Sequence, residues 1–250
     1  MRIVLYNVRY GTGTGLSYHM PIPFVGTLRR STRRFETIGH YLADLCPDLV
    51  GLVEVDSGSY RFKGKCQAKS AATTIGGVAN FVVKYGGSLS GLPVLRSQGN
   101  AVISKQIPNK ILRHDLGRGL KRAALEVRFS SHSFMLVHLS LGRASRRHQI
   151  AELARLCSER TQPLILAGDY NTLHGSQELS PLIDEGMTSV NQHGFPTFPC
   201  QRPHRELDFV LVSPEIGLQR LSIPQIQFSD HLPLVCDLHI PGEREKEAVP

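Results

Sequence analysis

The sequence predicts a mixed α/β sandwich: two largely antiparallel sheets face each other, and helices cover the outside. Three observations predict it. Short runs rich in Val, Ile, Leu and Phe, bounded by Gly, Pro, Asn and Asp, recur along most of the 250 residues. Segments of helical periodicity divide them, giving strand, helix, strand, helix, a block of strands, helix, strand, helix, strands. Polar residues stand at the ends of strand runs in both halves, so a pseudo-symmetric pair of sheets brings those ends together.

Strands are expected near 2–8, 48–55, 79–85, 99–104, 121–129, 133–139, 163–168, 206–213 and 233–240. After the first strand comes a long loop, 9–34, holding Gly11-Thr12-Gly13-Thr14-Gly15, then Pro21-Ile22-Pro23-Phe24-Val25, then Arg29-Arg30-Ser31-Thr32-Arg33-Arg34. Long loops beside a strand end often form substrate-binding rims. In the first helix Phe35, Ile38, Leu42 and Leu45 mark one face, and Cys46-Pro47 ends it. A second helix is expected over about 64–75, a third within 144–160 on the Ile150, Leu153, Ala154 and Cys157 face, and a short one near 176–185. The 121–139 segment reads as a hairpin turning through Ser130-Ser131-His132. One domain is expected over 1–240, followed by a polar, frayed tail at 241–250.

A hydrophobic content of 41% supports a sizeable core, and a chain of this length buries roughly 70–75% of its unfolded surface. No apolar run approaches the ~18–20 residues of a membrane span. The N-terminal run is too short and too poorly flanked for a signal peptide. The five cysteines are scattered, odd in number and without a Cys-x-x-Cys pair, which argues against a zinc cluster or a disulfide framework. Several of them sit in apolar contexts, where reduced, buried thiols are expected; a cytoplasmic location and a monomer are expected too. The net charge of +8 points to anionic partners: nucleic acid, phosphates or an anionic membrane surface.

Polar residues in apolar settings carry the chemistry. Asn7 follows Arg2-Ile3-Val4-Leu5-Tyr6, Glu54 follows Leu49-Val50-Gly51-Leu52-Val53, and His138 follows Phe134-Met135-Leu136-Val137. Asp169 and Asn171 follow Leu164-Ile165-Leu166-Ala167-Gly168, Asp208 sits inside Glu206-Leu207-Asp208-Phe209-Val210-Leu211, and Asp230-His231 lies in Phe228-Ser229-Asp230-His231-Leu232-Pro233-Leu234. Singly, each has a plainer reading: Asn7 a turn cap, Glu54 a strand-end ion pair, Asp169 and Asn171 an Asx turn. His138 alone reads as a satisfied, half-buried histidine and Asp208 as a buried acceptor. Together they point to one place. Their hard carboxylate and amide oxygens suit Mg²⁺, Mn²⁺ or Ca²⁺, and Glu54 with Asn7 can hold Mg²⁺ directly or through water. Extended backbone makes Asp169 and Asn171 point the same way, so the carboxylate can activate a water while the amide holds a phosphoryl oxygen. His231, oriented by Asp208, can be a cationic donor to a non-bridging oxygen. Phosphodiester cleavage needs these parts: a metal, an in-line water and donors for developing charge.

These residues resemble the endonuclease/exonuclease/phosphatase superfamily of metal-dependent phosphoesterases. The matching stretches are Leu5-Tyr6-Asn7, Gly51-Leu52-Val53-Glu54-Val55, Gly99-Asn100-Ala101-Val102-Ile103-Ser104 and Val137-His138-Leu139. They continue with Ala167-Gly168-Asp169-Tyr170-Asn171, Pro196-Thr197-Phe198-Pro199, Leu207-Asp208-Phe209-Val210-Leu211 and Ser229-Asp230-His231-Leu232-Pro233. They follow the family's order over residues 5 to 233. The resemblance implies a four-layer α/β sandwich with a divalent metal at one edge, Mg²⁺ with Mn²⁺ as the alternative. It implies that Asn7 and Glu54 lie at the metal, with Asp230 a further ligand. Asp169 becomes the base that orients the water, with Asn171 on the phosphate. His231 contacts the phosphoryl group, supported by Asp208; His138 is the other phosphate contact or acid; Asn100 supports the site from a neighbouring strand. The chain departs from the abasic-site endonucleases, which usually carry Gln before the metal-binding Glu and Lys soon after, where this chain has Val53 and Asp56. It has no tryptophan to act as a wedge in DNA.

A Mg²⁺-dependent DNA endonuclease is the leading expectation. Arg29, Arg30, Arg33 and Arg34 follow the early loop; Arg143, Arg146, Arg147 and His148 follow the His138 strand; Arg118, Lys121 and Arg122 lie on another turn. Basic turns near strand ends can track a phosphate backbone, with Arg118 and Arg147 as substrate contacts. The alternative is a phosphodiesterase or phosphatase acting on an anionic lipid or small phosphoester, with Pro21–Val25 beside the arginines as a membrane rim. A binding protein that kept the fold and lost catalysis ranks last, since every expected position is filled.

Overall fold

The computed structural model describes residues 1–14, 31–84 and 95–243. Gly15, Pro21–Val25, Arg29-Arg30 and most of the tail, 244–250, lie outside the described residues. The strands are β1 (Arg2–Asn7), β2 (Leu49–Asp56), β3 (Val78–Val83), β4 (Gln98–Ser104), β5 (Lys110–Asp115) and β6 (Ala123–Arg128). They continue with β7 (Ser133–His138), β8 (Leu164–Asp169), β9 (Thr188–Ser189), β10 (Asp208–Val212), β11 (Gly217–Ser222) and β12 (Leu234–His239). The helices are α1 (Thr32–Asp44), α2 (Gln67–Ile75), α3 (Arg143–Ser158) and α4 (Ser180–Asp184).

The result is a four-layer α/β sandwich of two six-stranded mixed sheets, ordered β11-β12-β1-β2-β4-β3 and β5-β6-β7-β8-β10-β9. Each sheet is antiparallel except at its centre, where β1 and β2 pair in parallel in one sheet and β7 and β8 in the other. A parallel pair needs a crossover, and α1 and α3 supply the two. The two halves therefore repeat one device: a parallel pair that delivers two strand ends side by side. Asn7 ends β1, His138 ends β7 and Asp169 ends β8.

Three apolar layers separate the four structural ones. Ile3, Leu5, Val53, Phe134, Leu136, Ile165 and Val210 pack between the sheets. Val4, Phe35, Ile38, Leu42 and Ala68 join the first sheet to α1 and α2, and Met135, Ile150, Leu153, Leu166 and Leu182 join the second to α3 and α4. The helical face read from Phe35, Ile38 and Leu42 is buried. Gly51 lets the sheets approach: a Cβ there stands 3.0 Å from Leu136 Cδ1 and 3.1 Å from Phe134 Cζ.

All nine expected strands are present, and β6 and β7 form the expected hairpin. Three further strands escape the hydrophobic pattern. β5, β9 and β11 are edge strands, and β5 and β11 are largely exposed. An edge strand with solvent on most sides needs no apolar run, and its charges guard against stray pairing. All five cysteines are free thiols, but only Cys157, Cys200 and Cys236 are buried; Cys66 is half-buried and Cys46, just past the end of α1, is exposed. Among the described residues no helix is long and apolar enough to cross a membrane.

Candidate active site

At one end of the sandwich three strands of the second sheet bring polar side chains abreast: His138 of β7 and Asp208 of β10 both stand opposite Asp169 of β8. The first sheet meets them with Asn7. One oxygen, Asp169 Oδ2, is the meeting point. Asn7 Nδ2 donates to it at 3.0 Å, His138 Nε2 lies 3.4 Å away and His231 Nε2 3.9 Å away. The other oxygen accepts the Asn171 backbone N–H at 3.0 Å. Asp169 is 2% exposed.

Glu54 reaches the same place through a bulge. Leu52 pairs with Ala101 and Val55 with Gly99, so Val53 and Glu54 together face the single residue Asn100. Asn100 Oδ1 accepts the Glu54 N–H at 3.2 Å, and Glu54 takes a left-handed φ of 59°. Arg9, Tyr10 and Asn171 are left-handed too. For non-glycine residues this costs about 1–3 kcal/mol each, and such strain gathers at functional sites. At Asn171 it replaces the extended backbone expected from the sequence, and the side-chain amide donates to Leu139 O at 2.9 Å.

His231 Nδ1 donates to Asp208 Oδ2 at 2.7 Å, and Thr197 Oγ1 donates to the same oxygen at 2.6 Å. Thr197 Oγ1 in turn accepts the N–H groups of Leu207 and Asp208 at 3.3 Å. Phe198 packs against the imidazole, ring centroids 4.8 Å apart. Asp230 pairs with Arg9 Nη1 at 2.9 Å.

Burial opposes charge at each of these groups, and the neighbours decide the outcome. Burial alone drives the His231 proton off, but Asp208, Asp169 and Asp230 hold its pKa up at about 10. Burial raises the Asp169 carboxyl to about 6, Asp208 adding to the rise and His231 and Lys121 restraining it. Burial pushes Glu54 up, yet Lys84, Lys121 and His231 bring it down to about 2. His138 is driven well below its ordinary value by burial and by Lys121 and Lys84. Lys121 donates to His138 Nε2, so the neutral ring carries its hydrogen on Nδ1, 3.8 Å from Glu54 Oε1.

The structure thus gathers Asn7, Glu54, Asn100, His138, Asp169, Asn171, Asp208, Asp230 and His231 at one edge. Arg118 and Arg147 are exposed residues of the β5–β6 turn and of α3, and among the described residues neither side chain bonds to these groups. Arg146, grouped from the sequence with a basic substrate-facing turn, is instead fully buried: its guanidinium binds Glu178 at 2.8 Å and the carbonyls of Ser140 and Leu141. It holds the start of α3 in place. Lys84 lies outside the residues that the sequence pattern marks, although it ends the Val82-Val83 run as Glu54 ends its own. Its Nζ lies 2.8 Å from Glu54 Oε1. Thr197 and Arg9 also have roles that only the tertiary contacts reveal. Lys121 belongs to the expected basic turn, but Gln149 Nε2 clamps that turn through the carbonyls of Arg118 and Lys121 at 2.6 and 2.8 Å, which brings Lys121 inward.

Hard donors suit a divalent cation here: the Glu54 carboxylate, the buried Asn7 Oδ1 and the Asp230 carboxylate. Asp169, Asp208 and His231 also offer ligand atoms within 4.8 Å of one another. The 2.7 Å bond between His231 and Asp208 makes that trio a histidine–carboxylate pair facing Asp169. Asp208 Oδ1 and His138 Nδ1 are buried with no hydrogen-bond partner among the described residues.

A model of the Endonuclease/Exonuclease/phosphatase family matches residues 4–231. No curated protein matches the chain. Among solved structures, an endonuclease/exonuclease/phosphatase from Beutenbergia cavernae is similar at a TM-score of 0.71 and 19% identity, over 97% of this chain and 72% of that one. A 3′ phosphatase from Neisseria, solved with a product DNA hairpin, is similar at 0.67 and 17% identity over 96% of this chain and 99% of that one. A mannosyl-6-phosphatase from Bacteroides thetaiotaomicron is similar at 0.65 and 14% identity over 96% and 99%. These identities speak to the fold.

Proposed function

The chain belongs to the endonuclease/exonuclease/phosphatase family of metal-dependent phosphoester hydrolases, and we propose that it is a Mg²⁺-dependent nuclease that hydrolyses phosphodiester bonds of DNA by in-line attack of water. One observation carries the reading: a buried carboxylate, Asp169, raised to about 6 and ringed by Asn7, His138 and His231. A base whose pKa lies just below neutrality is ionised at working pH and still basic enough to take a proton.

Asp169 accepts the proton of the attacking water, and the Asn171 N–H and Asn7 amide fix the carboxylate in that orientation. His231, cationic and held by Asp208, donates from Nε2 to a non-bridging phosphoryl oxygen as negative charge develops there. Neutral His138 and the Lys121 ammonium face the same volume and orient the phosphate. Glu54, Asn7 and Asp230 would hold the metal, Mg²⁺ or Mn²⁺. When bound, it supplies Lewis-acid charge for the phosphoryl oxygens. Asn100 maintains the bulge that presents Glu54.

The net charge of +8 and the exposed Arg118 and Arg147 support a polyanionic substrate. The similarity to a DNA-acting 3′ phosphatase agrees with it. The free thiols fit a reducing compartment. The test uses purified protein on supercoiled plasmid, linear DNA, single-stranded RNA, sphingomyelin or phosphoinositide vesicles and a sugar phosphate. Each is run with Mg²⁺, Mn²⁺ or EDTA beside a His231→Ala variant. Metal-dependent plasmid nicking that the variant lacks is the expected result. Turnover of lipid or sugar phosphate with plasmid intact contradicts the nuclease reading and moves the activity to a small or lipid phosphoester.

A further inference from the structure

Lys84 is a buried ammonium that the hydrolysis above does not use. It follows β3 and is 3% exposed; its Nζ binds Glu54 Oε1 at 2.8 Å and donates to Tyr10 OH at 3.0 Å. The support behind it is extensive. Tyr10 OH donates to Gln98 Oε1 at 2.9 Å, Gln67 Nε2 donates to Tyr10 O at 2.8 Å, and the Arg61 guanidinium lies 4.4 Å above the Tyr10 ring. Arg61 is itself buried and paired with Asp56 at 3.1 Å. A lysine this firmly held against a carboxylate is a built feature of the site. Lys121 adds a second ammonium whose field reaches both Glu54 and Asp169.

Carboxylates at this edge already have basic partners. Among the described residues the anions here are Glu54, Asp169, Asp208 and Asp230. Three of them have a basic partner at bonding distance: Lys84 at Glu54, Arg9 at Asp230 and His231 at Asp208, while Lys121 reaches the same volume through His138. A divalent ion arriving alone at Glu54 therefore meets a carboxylate already bonded to an ammonium at 2.8 Å, and adds two positive charges beside it. Burying unpaired charge is costly. A phosphoryl group arriving with the ion brings the missing negative charge.

Resting on the assignment of Glu54 as a metal ligand, we infer that Lys84, seconded by Lys121, is an internal counter-ion that makes divalent-metal binding conditional on an anionic phosphoryl group in the site. By linkage the coupling is mutual: the metal tightens phosphate binding by the factor with which phosphate tightens the metal. Lys84 is thus a positioning residue that holds Glu54 in place, and it yields when metal and substrate enter together.

Isothermal titration of Mg²⁺ into the full chain tests this, with and without saturating inorganic phosphate, for the wild type, Lys84→Met, Lys121→Met and Glu54→Gln. Phosphate is expected to tighten Mg²⁺ binding to the wild type by at least about tenfold, within the usual range of coupling between sites. Lys84→Met is expected to bind Mg²⁺ without phosphate about tenfold more tightly than the wild type, and to respond less to phosphate. Lys121→Met, at a half-exposed position, shifts the same way by a smaller factor and carries the prediction if Lys84→Met does not fold. A wild-type Mg²⁺ affinity indifferent to phosphate overturns the inference, as do lysine variants that fold and bind Mg²⁺ no tighter than the wild type. Glu54→Gln binding Mg²⁺ like the wild type has a different meaning: it overturns the ligand assignment, and the inference with it.

Discussion

Burial and pairing pull the His231 proton in opposite directions, and pairing wins because Asp208 is bonded at 2.7 Å and Asp169 faces the other nitrogen. Asp208 can do this only while its own carboxylate is held in place. Thr197 does the holding, by donating to Oδ2 and accepting the Leu207 and Asp208 N–H groups. A hydrogen bond to a charged group contributes about 1.5–3 kcal/mol. Thr197→Val, equal in size but without the hydroxyl, should therefore lower kcat by roughly tenfold or more, and Thr197→Ser should restore most of it. Steady-state kinetics on the three proteins measure this; a Val variant as active as the wild type removes Thr197 from the account. In the sequence Thr197 lay within a recognisable stretch, but nothing there showed which side chain it serves. Its partners are 10 and 11 residues away and meet it only through the return of the chain.

Central strands were legible because burial on both faces requires apolar runs, and the polar residue that ends such a run stands out against it. Glu54, His138 and Asp169 were found that way. Lys84 carried the same signal after a shorter run. The edges were not legible: β5 alternates exposed and half-buried residues, and β11 is mostly exposed. What holds β5 is charge as well as backbone pairing. Glu126 of β6 is nearly buried and binds His114 of β5 at 2.7 Å and Arg128 at 2.6 Å. Burial pushes its carboxyl up, but the bonds from His114, Arg128 and Ser133 outweigh that and hold it at about 2, against 4.5 for the unperturbed group. Between those values the unfolded chain takes up a proton that the folded chain refuses, so folding stability falls as pH falls from 4.5 toward 2. Denaturant unfolding at stepped pH should show the wild type losing its advantage over Glu126→Gln across that window. A gap that stays constant with pH argues against the pairing.

At the scale of the molecule, the repeated parallel pair explains why residues spread from Asn7 to His231 converge. β1 with β2 and β7 with β8 are each joined by a helix, so each sheet presents its central strand ends at the same edge. The expected order of elements and the clustering of polar strand ends already implied this convergence. The local conformations at its focus did not follow from sequence. Glu54 lies in left-handed backbone that sequence gives no reason to assign to it, and Asn171, a residue type that tolerates that region, takes it in place of the extended chain expected, with its amide bonded to Leu139 O. Strained positions are where local preference and tertiary demand part company, and this fold concentrates them at the site. On the proposed function, the sandwich serves to hold one carboxylate oxygen between two sheets, with Asn7 on one side and His138 and His231 on the other. The most direct test of that claim is the Mg²⁺-dependent turnover rate of Asp169→Asn, measured with its thermal unfolding on the substrate that the wild type hydrolyses. A loss of about 10²–10⁴-fold in kcat with the cooperative melt retained is the predicted result for removal of a general base. A folded Asp169→Asn protein that turns over at the wild-type rate contradicts it.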